Sequence, residues 1–86
     1  MHTAELLTEA IDLSKRAGYQ IREEVLEGAG GGHCTIRGQK WLLLDLTQTQ
    51  KEQLADVLDA LRAEQQLELG GVPACLVERL QVCRAA

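Results

Sequence analysis

The stretch that most constrains the fold is the apolar run WLLLDL at residues 41–46, which is followed directly by a helix start. The run lies between the turn signal RGQK and a capping sequence, so it is too short for a buried helix and is typical of a strand. Because side chains alternate across a sheet, Leu42 and Leu44 point to one face and Trp41 and Leu43 to the other. Both faces of this predicted strand therefore need cover.

The length and composition indicate one small domain. A chain of 86 residues buries about 60% of its unfolded surface, near the lower limit for a self-sufficient core. It has fifteen leucines, one tryptophan, one tyrosine and no phenylalanine. We therefore expect a leucine core packed against one or two aromatic rings.

The charge pattern excludes some partners. The formal net charge is -4, and the basic residues are scattered, whereas nucleic-acid binding needs clustered lysine and arginine. No segment approaches the roughly 20 apolar residues of a membrane span, and the start MHTAE lacks a signal-peptide pattern. We expect a cytoplasmic protein that binds neither nucleic acid nor membrane.

The hydrophobic periodicity predicts an α+β fold of two layers, with element order α-β-β-β-α-α in a single domain over residues 1–86. Short connections favour an antiparallel three-stranded meander with helices on one face. Thr49 and Glu52 match a capping box, Thr47 and Gln50 match almost as well, and Pro73 suits a helix start. The predicted elements are a helix at 3–17, strands at 19–26, 33–37 and 41–46, and helices at 49–66 and 73–83.

The register of the second hairpin is open between two versions. A two-residue loop at Gly38-Gln39 sets Ile36 opposite Trp41 and Cys34 opposite Leu43, leaving Leu42 and Leu44 on the far face. A three-residue loop with Gly38 bulged instead groups Cys34, Ile36, Leu42, Leu44 and Leu46. Either version leaves apolar surface on the second face of the strand.

The apolar excess of the third strand is the main functional signal. Its surface is covered either by the helix at 73–83 or by a second chain, since contiguous exposed apolar patches usually mark contacts. A homodimer is the simplest partner because symmetric pairs dominate. The hypothetical interface residues are Trp41, Leu42, Leu43 and Leu44.

The glycine-rich stretch at 28–32 and the dipeptide His33-Cys34 invite a chemical interpretation. A phosphate-binding loop leads into a helix, whereas a strand follows here, and adjacent strand residues point to opposite faces. We predict no catalytic residue and no cofactor. An alternative ligand or redox site uses Cys34, His33, Gly30, Gly31 and Gly32.

The three cysteines do not form a disulfide framework or a metal site. Cys34, Cys75 and Cys83 are odd in number and are expected to be small core residues. Cys75 and Cys83 lie about 12 Å apart along one helix, so they do not share a metal ion. The acidic residues Glu52, Asp56 and Asp59 read as a solvated helix face.

The chain contains GGGHCTIRG at 30–38, LLLD at 42–45, a helix pattern at 54–61 and VPACL at 72–76. Together these four segments resemble a family of small uncharacterised bacterial proteins. The resemblance covers most of the chain from Tyr19 onward and implies a cytoplasmic stand-alone domain, without an activity. In topology alone the chain is similar to zinc peptidases paired with phage-type repressors. The corresponding helix has no histidine, so peptidase activity does not carry over.

The sequence thus favours a non-enzymatic protein-interaction or regulatory domain that self-associates through the apolar surface of strand 41–46. The alternative is a small ligand-binding or thiol-based redox-responsive domain that uses Cys34 and the glycine stretch at 28–32.

Overall fold

The computed structural model describes residues 2–27, 30–64 and 67–82, with side chains described as far as residue 80. The predicted order of elements is confirmed, and the structure is α+β with three helices and one three-stranded sheet. Predicted helix ends at residues 66 and 83 lie outside the described residues. The elements are α1 (Thr3–Arg16), β1 (Tyr19–Glu24), β2 (Gly32–Ile36), β3 (Gln39–Asp45), α2 (Gln50–Arg62) and α3 (Ala74–Val82).

The antiparallel meander is wrong, because the sheet is mixed and has the order β1-β3-β2. β3 pairs parallel with β1 and antiparallel with β2. The connection at residues 25–31 reaches about 23 Å when extended, while crossing two strand spacings needs only about 10 Å. The chain therefore passes the end of β3 and returns along its other side, which gives the most apolar strand the central position.

The β2–β3 hairpin is closed by a two-residue turn at Arg37 and Gly38, one position earlier than the predicted loop. Both residues have positive φ, 52° and 81°, as a type I′ turn requires. Cys34 consequently pairs with Trp41, and Ile36 with Gln39. Neither predicted set of partners is right, but the shift from the first version is two residues, so its grouping of side chains by face is retained.

All three helices belong to the layer on one side of the sheet. α1 and α2 pack against each other and against the sheet, and α3 packs against α1 and α2. Cover of the second face of β3 by α3, which was one of the two predicted alternatives, is therefore wrong. The buried apolar side chains that these elements share are Leu6, Leu7, Ala10, Leu13, Tyr19, Leu42, Leu44, Leu54, Val57, Leu58, Ala60, Leu61, Leu76 and Leu80.

Local hydrogen bonds explain where α2 begins. The predicted capping box is confirmed: Thr49 accepts from the Glu52 amide, and the Glu52 carboxylate accepts from the Thr49 amide at 2.9 Å. Thr47, the alternative cap, donates its hydroxyl to Asp45 instead. None of the described helices is long and apolar enough to span a membrane.

Candidate functional site

The sheet has one open face, and the candidate site is a groove on it, which we call the open-face groove. Its volume is about 320 Å³. β3 supplies the floor and the two outer strands supply the sides, because the pairing places alternate residues of all three strands on this face. The residues that line it are Arg22, Glu24, Cys34, Ile36, Trp41 and Leu43.

The two sides of the groove differ in chemistry. On β1, Arg22 and Glu24 form a salt bridge of 2.6 Å between side chains that are 61% and 42% exposed. On β2, Cys34 is exposed, and Ile36 leaves 55% of its surface in solvent. The β1 side is therefore charged but neutral in sum, and the β2 side is uncharged and apolar.

A buried carboxylate, that of Asp45, lies at the end of β3, the strand that forms the groove floor. Asp45 is fully buried and accepts the Thr47 hydroxyl at 2.7 Å, and its two oxygens also accept the amides of Thr47, Leu26 and Gly30. The Thr47 hydroxyl, followed by the backbone amides, outweighs burial and lowers the pKa of Asp45 to about 2. Asp45 is thus ionised at neutral pH and anchors the crossover through the amides of Leu26 and Gly30.

The predicted interface residues divide between the two faces of β3. Leu42 and Leu44 are buried against the helices, with 0% and 2% exposure. Trp41 and Leu43 are half-buried and line the groove. The surface available to a partner therefore contains Trp41 and Leu43. The predicted alternation of side chains had allowed either this pair or Leu42 and Leu44.

The residues of the alternative site, Cys34 and the glycine stretch, do not lie together in one place. Cys34 faces the groove, whereas His33 pairs with Leu42 and points to the helix side of the sheet. Gly30 donates its amide to Asp45, and Gly31 lies against the carbonyl of Leu43. Gly32 is half-buried beside Leu43, and residues 28 and 29 lie outside the described residues.

The expectation of buried cysteines is wrong for the two that are described. Cys34 and Cys75 are both exposed free thiols, because Cys34 faces the open side of the sheet and Cys75 faces solvent from α3. Cys83 lies outside the described residues. Within the described ranges, no three histidine, cysteine or acidic side chains converge as a group able to hold a metal ion.

The acidic residues of α2 have separate local roles. Glu52 belongs to the capping box, and Asp59 lies 3.5 Å from Arg62. Asp56 is half-buried against Gly31, and burial raises its pKa, with the nearby carboxylates of Asp59 and Glu52 acting in the same direction. The acidic patch is therefore not a uniformly solvated surface.

Sequence reasoning missed a polar cluster on the helix side of the sheet. Lys40 donates to Glu64 at 2.9 Å and to the Ala17 carbonyl at 2.6 Å, and its ammonium lies 4.9 Å from the centroid of the Tyr19 ring. Burial, followed by Glu64, raises the pKa of Tyr19 to about 12. The hydrogen bond from Lys40 lowers the pKa of Glu64. The cluster connects the first residues of β1 and β3 to Glu64, just after α2. No residue spacing in the sequence predicts it.

Compared with known proteins, the chain matches no protein family, no curated protein and no solved structure. The resemblance to small bacterial proteins therefore stays a prediction.

Proposed function

We propose that the protein is a non-enzymatic interaction domain that self-associates through the apolar surface of the open-face groove. The observation that carries this proposal is the position of Ile36, Trp41 and Leu43 on a sheet face opposite the helix layer. Contiguous apolar surface of this kind usually marks a contact. The proposal includes the predicted cytoplasmic location, because an odd number of cysteines without a C-x-x-C pair favours free thiols in a reducing compartment.

The charge of the groove supports a second copy as the partner. The chain carries a net charge of -4, which opposes association of two copies elsewhere on its surface. In the groove, by contrast, Arg22 balances Glu24, and the β2 side carries no charge. Two copies that meet at this surface therefore bring together no excess of like charge.

The test is the molar mass in solution, measured by light scattering after size exclusion and by sedimentation equilibrium. We expect wild type to reach twice the chain mass of 9.4 kDa as concentration rises. Ile36→Glu and Trp41→Glu place a charge in the groove, and at least one of them is expected to weaken the dimer about tenfold or more, the equivalent of about 1.4 kcal/mol. Lys51→Glu, on the exposed surface of α2, is the control.

Two results would contradict the proposal. One is a wild-type chain that stays monomeric at millimolar concentration. The other is a dimer that neither groove variant weakens although both retain the circular dichroism of the wild type.

A small apolar ligand is the second candidate occupant, because the groove volume of about 320 Å³ lies at the lower end of the range for ligand pockets. Trp41 is the only tryptophan, so its fluorescence reports directly on the groove. Saturable quenching by an apolar naphthalene dye, lost in Ile36→Glu and retained in Lys51→Glu, would favour this candidate.

A further inference from the structure

The two outer edges of the sheet are protected unequally. Natural edge strands usually carry charges or proline that prevent pairing with another chain. β1 meets this rule with Arg22, Glu23 and Glu24, whereas β2, with the sequence GHCTI, has neither proline nor a formally charged residue. From His33 to Ile36 every residue of β2 is exposed. The β2 edge is therefore open to a further strand.

The hairpin geometry identifies the backbone groups on this edge. Ile36 and Gln39 flank the two-residue turn, so they exchange both backbone hydrogen bonds. Hydrogen-bonded and non-hydrogen-bonded pairs alternate in an antiparallel ladder, so Cys34 also directs its amide and carbonyl toward β3. His33 and Thr35 consequently direct theirs outward.

We propose that this edge pairs antiparallel with the β2 edge of a second copy, about a twofold axis at Cys34. In this register His33 exchanges two hydrogen bonds with the partner's Thr35, and Thr35 exchanges two with the partner's His33. An axis at His33 or at Thr35 aligns only one outward pair. The axis at Cys34 therefore satisfies all four outward groups of the strand on each copy.

The side chains along the seam fit the same register. Ile36, which is 55% exposed, faces the partner's Gly32. A Cβ atom built at Gly32 meets nothing within 4 Å in the single chain, so the isoleucine meets no obstacle there. The product is a six-stranded sheet of order β1-β3-β2-β2-β3-β1 in which the two open-face grooves are continuous.

This inference rests on the proposed self-association but goes beyond it, because it places the contact along the β2 edge, with Ile36 at the seam, and leaves the rest of the open-face groove exposed. Five strand residues from each copy form a contact below the usual size of stable interfaces. We therefore expect a dissociation constant in the micromolar range.

Cross-linking at Cys34 tests the position of the axis. A non-hydrogen-bonded pair has Cα atoms about 4.5 Å apart, within the range that a disulfide spans. In a Cys75→Ser/Cys83→Ser background, the oxidant diamide is expected to convert most of the chain to a Cys34-linked dimer. The control removes Cys34 as well and carries Lys51→Cys on α2, and its cross-linking is expected to be at least about tenfold slower because no contact raises its effective concentration.

Thr35→Pro tests the backbone hydrogen bonds across the seam. The Thr35 amide points away from β3, so proline removes no hydrogen bond from the single chain, but it removes the donor to the carbonyl of the partner's His33. We expect the dissociation constant to rise about tenfold or more in sedimentation equilibrium, the equivalent of about 1.4 kcal/mol. Lys51→Glu is the control, and a circular dichroism spectrum equal to that of the wild type shows that the Thr35→Pro chain folds.

The outcomes separate this inference from the proposed function. Fast Cys34 cross-linking together with a weakened Thr35→Pro dimer supports edge pairing. A dimer that Trp41→Glu dissociates, but that cross-links slowly at Cys34 and tolerates Thr35→Pro, would overturn edge pairing and leave self-association by face-to-face stacking. A wild-type monomer would overturn both.

Discussion

The two faces of the sheet use neighbouring residues of one strand in different ways. On the covered face, Leu42 and Leu44 are buried by α1 and α2. On the open face, Trp41 and Leu43 are equally apolar but only half-buried. The difference shows that hydrophobicity does not by itself decide burial, because a small chain has a limited number of elements with which to cover a sheet.

Asp45 is the exception to this difference between the faces, and its substitution is expected to have the largest effect on stability. By alternation it follows Trp41 and Leu43, yet it is fully buried because the crossover covers this end of the face. Asp45→Asn replaces an acceptor oxygen with a donor amide among amide and hydroxyl donors. We expect this substitution to lower the melting temperature at pH 7, measured by circular dichroism, more than Leu42→Ala, Gly31→Ala or Lys40→Met.

The pH dependence follows from the same contacts. The folded pKa of Asp45, about 2, lies below its ordinary value of 3.8, so the ionised carboxylate stabilises the fold. This contribution is complete above about pH 4 and is lost as the pH falls toward 2. Asp45→Asn is expected to flatten that part of the stability profile. Asp56→Asn is the control, because the raised pKa of Asp56 predicts unchanged or higher stability at pH 7.

The adjacent leucines test the two faces directly. Leu42→Ala removes a fully buried side chain and is expected to cost about 2–5 kcal/mol of unfolding free energy. Leu43→Ala leaves no closed cavity, because its side chain borders the groove, and is expected to cost about 1 kcal/mol or less. Urea denaturation of the monomer measures both. Equal losses would show that the open face is as tightly packed as the covered one.

Gly31 and Gly32 are adjacent in the chain but differ in the space around their backbones. A Cβ atom at Gly31 would collide with the Leu43 carbonyl, so Gly31→Ala is expected to cost about 1–3 kcal/mol. Gly32→Ala meets open space and is expected to stabilise the monomer by about 0.4–1 kcal/mol, since it restricts the unfolded chain. Thermal denaturation should therefore move the two midpoints in opposite directions. A destabilised Gly32→Ala monomer would contradict the open space beside β2.

Ion pairs on the two faces give the smallest expected effects. Lys40→Met removes the hydrogen bonds to Glu64 and Ala17 and is expected to cost about 1 kcal/mol, allowing for partial exposure. Arg22→Met breaks only the exposed pair with Glu24 and is expected to cost less than about 0.5 kcal/mol. Adding 0.5 M salt should weaken the second pair more than the first. The reverse ranking in urea denaturation would contradict the assignment of the Lys40 cluster to the packed side.

Local sequence rules predicted the elements and the alternation of side chains along β3. The capping box at Thr49 and the apolar run of β3 each depend on residues close in the chain, so both could be predicted directly from the sequence. The alternation of Trp41 with Leu42 follows from strand geometry alone. The first hairpin version also grouped Cys34 and Ile36 with Trp41, because a register shift of two residues does not change the face.

Only part of the candidate site could be predicted from the sequence, because local rules do not determine how distant strands pair. Arg22 and Glu24 were missed because their place beside Trp41 and Leu43 depends on the parallel pairing of β1 with β3. That pairing depends on the path of the crossover, and the Asp45 carboxylate that fastens it draws on amides from Leu26 and Gly30, far away in sequence. Nothing in the local pattern of β1 indicates which strand it will join.

The sequence by itself determined which segments become helices and strands, and that the central strand is apolar on both faces, because capping and side-chain alternation are local properties. Tertiary structure alone decided the strand order, the layer that α3 joins, and hence which face of the sheet stays open. These choices depend on which elements compete to cover the same leucine surface, and that competition is settled only when the whole chain packs.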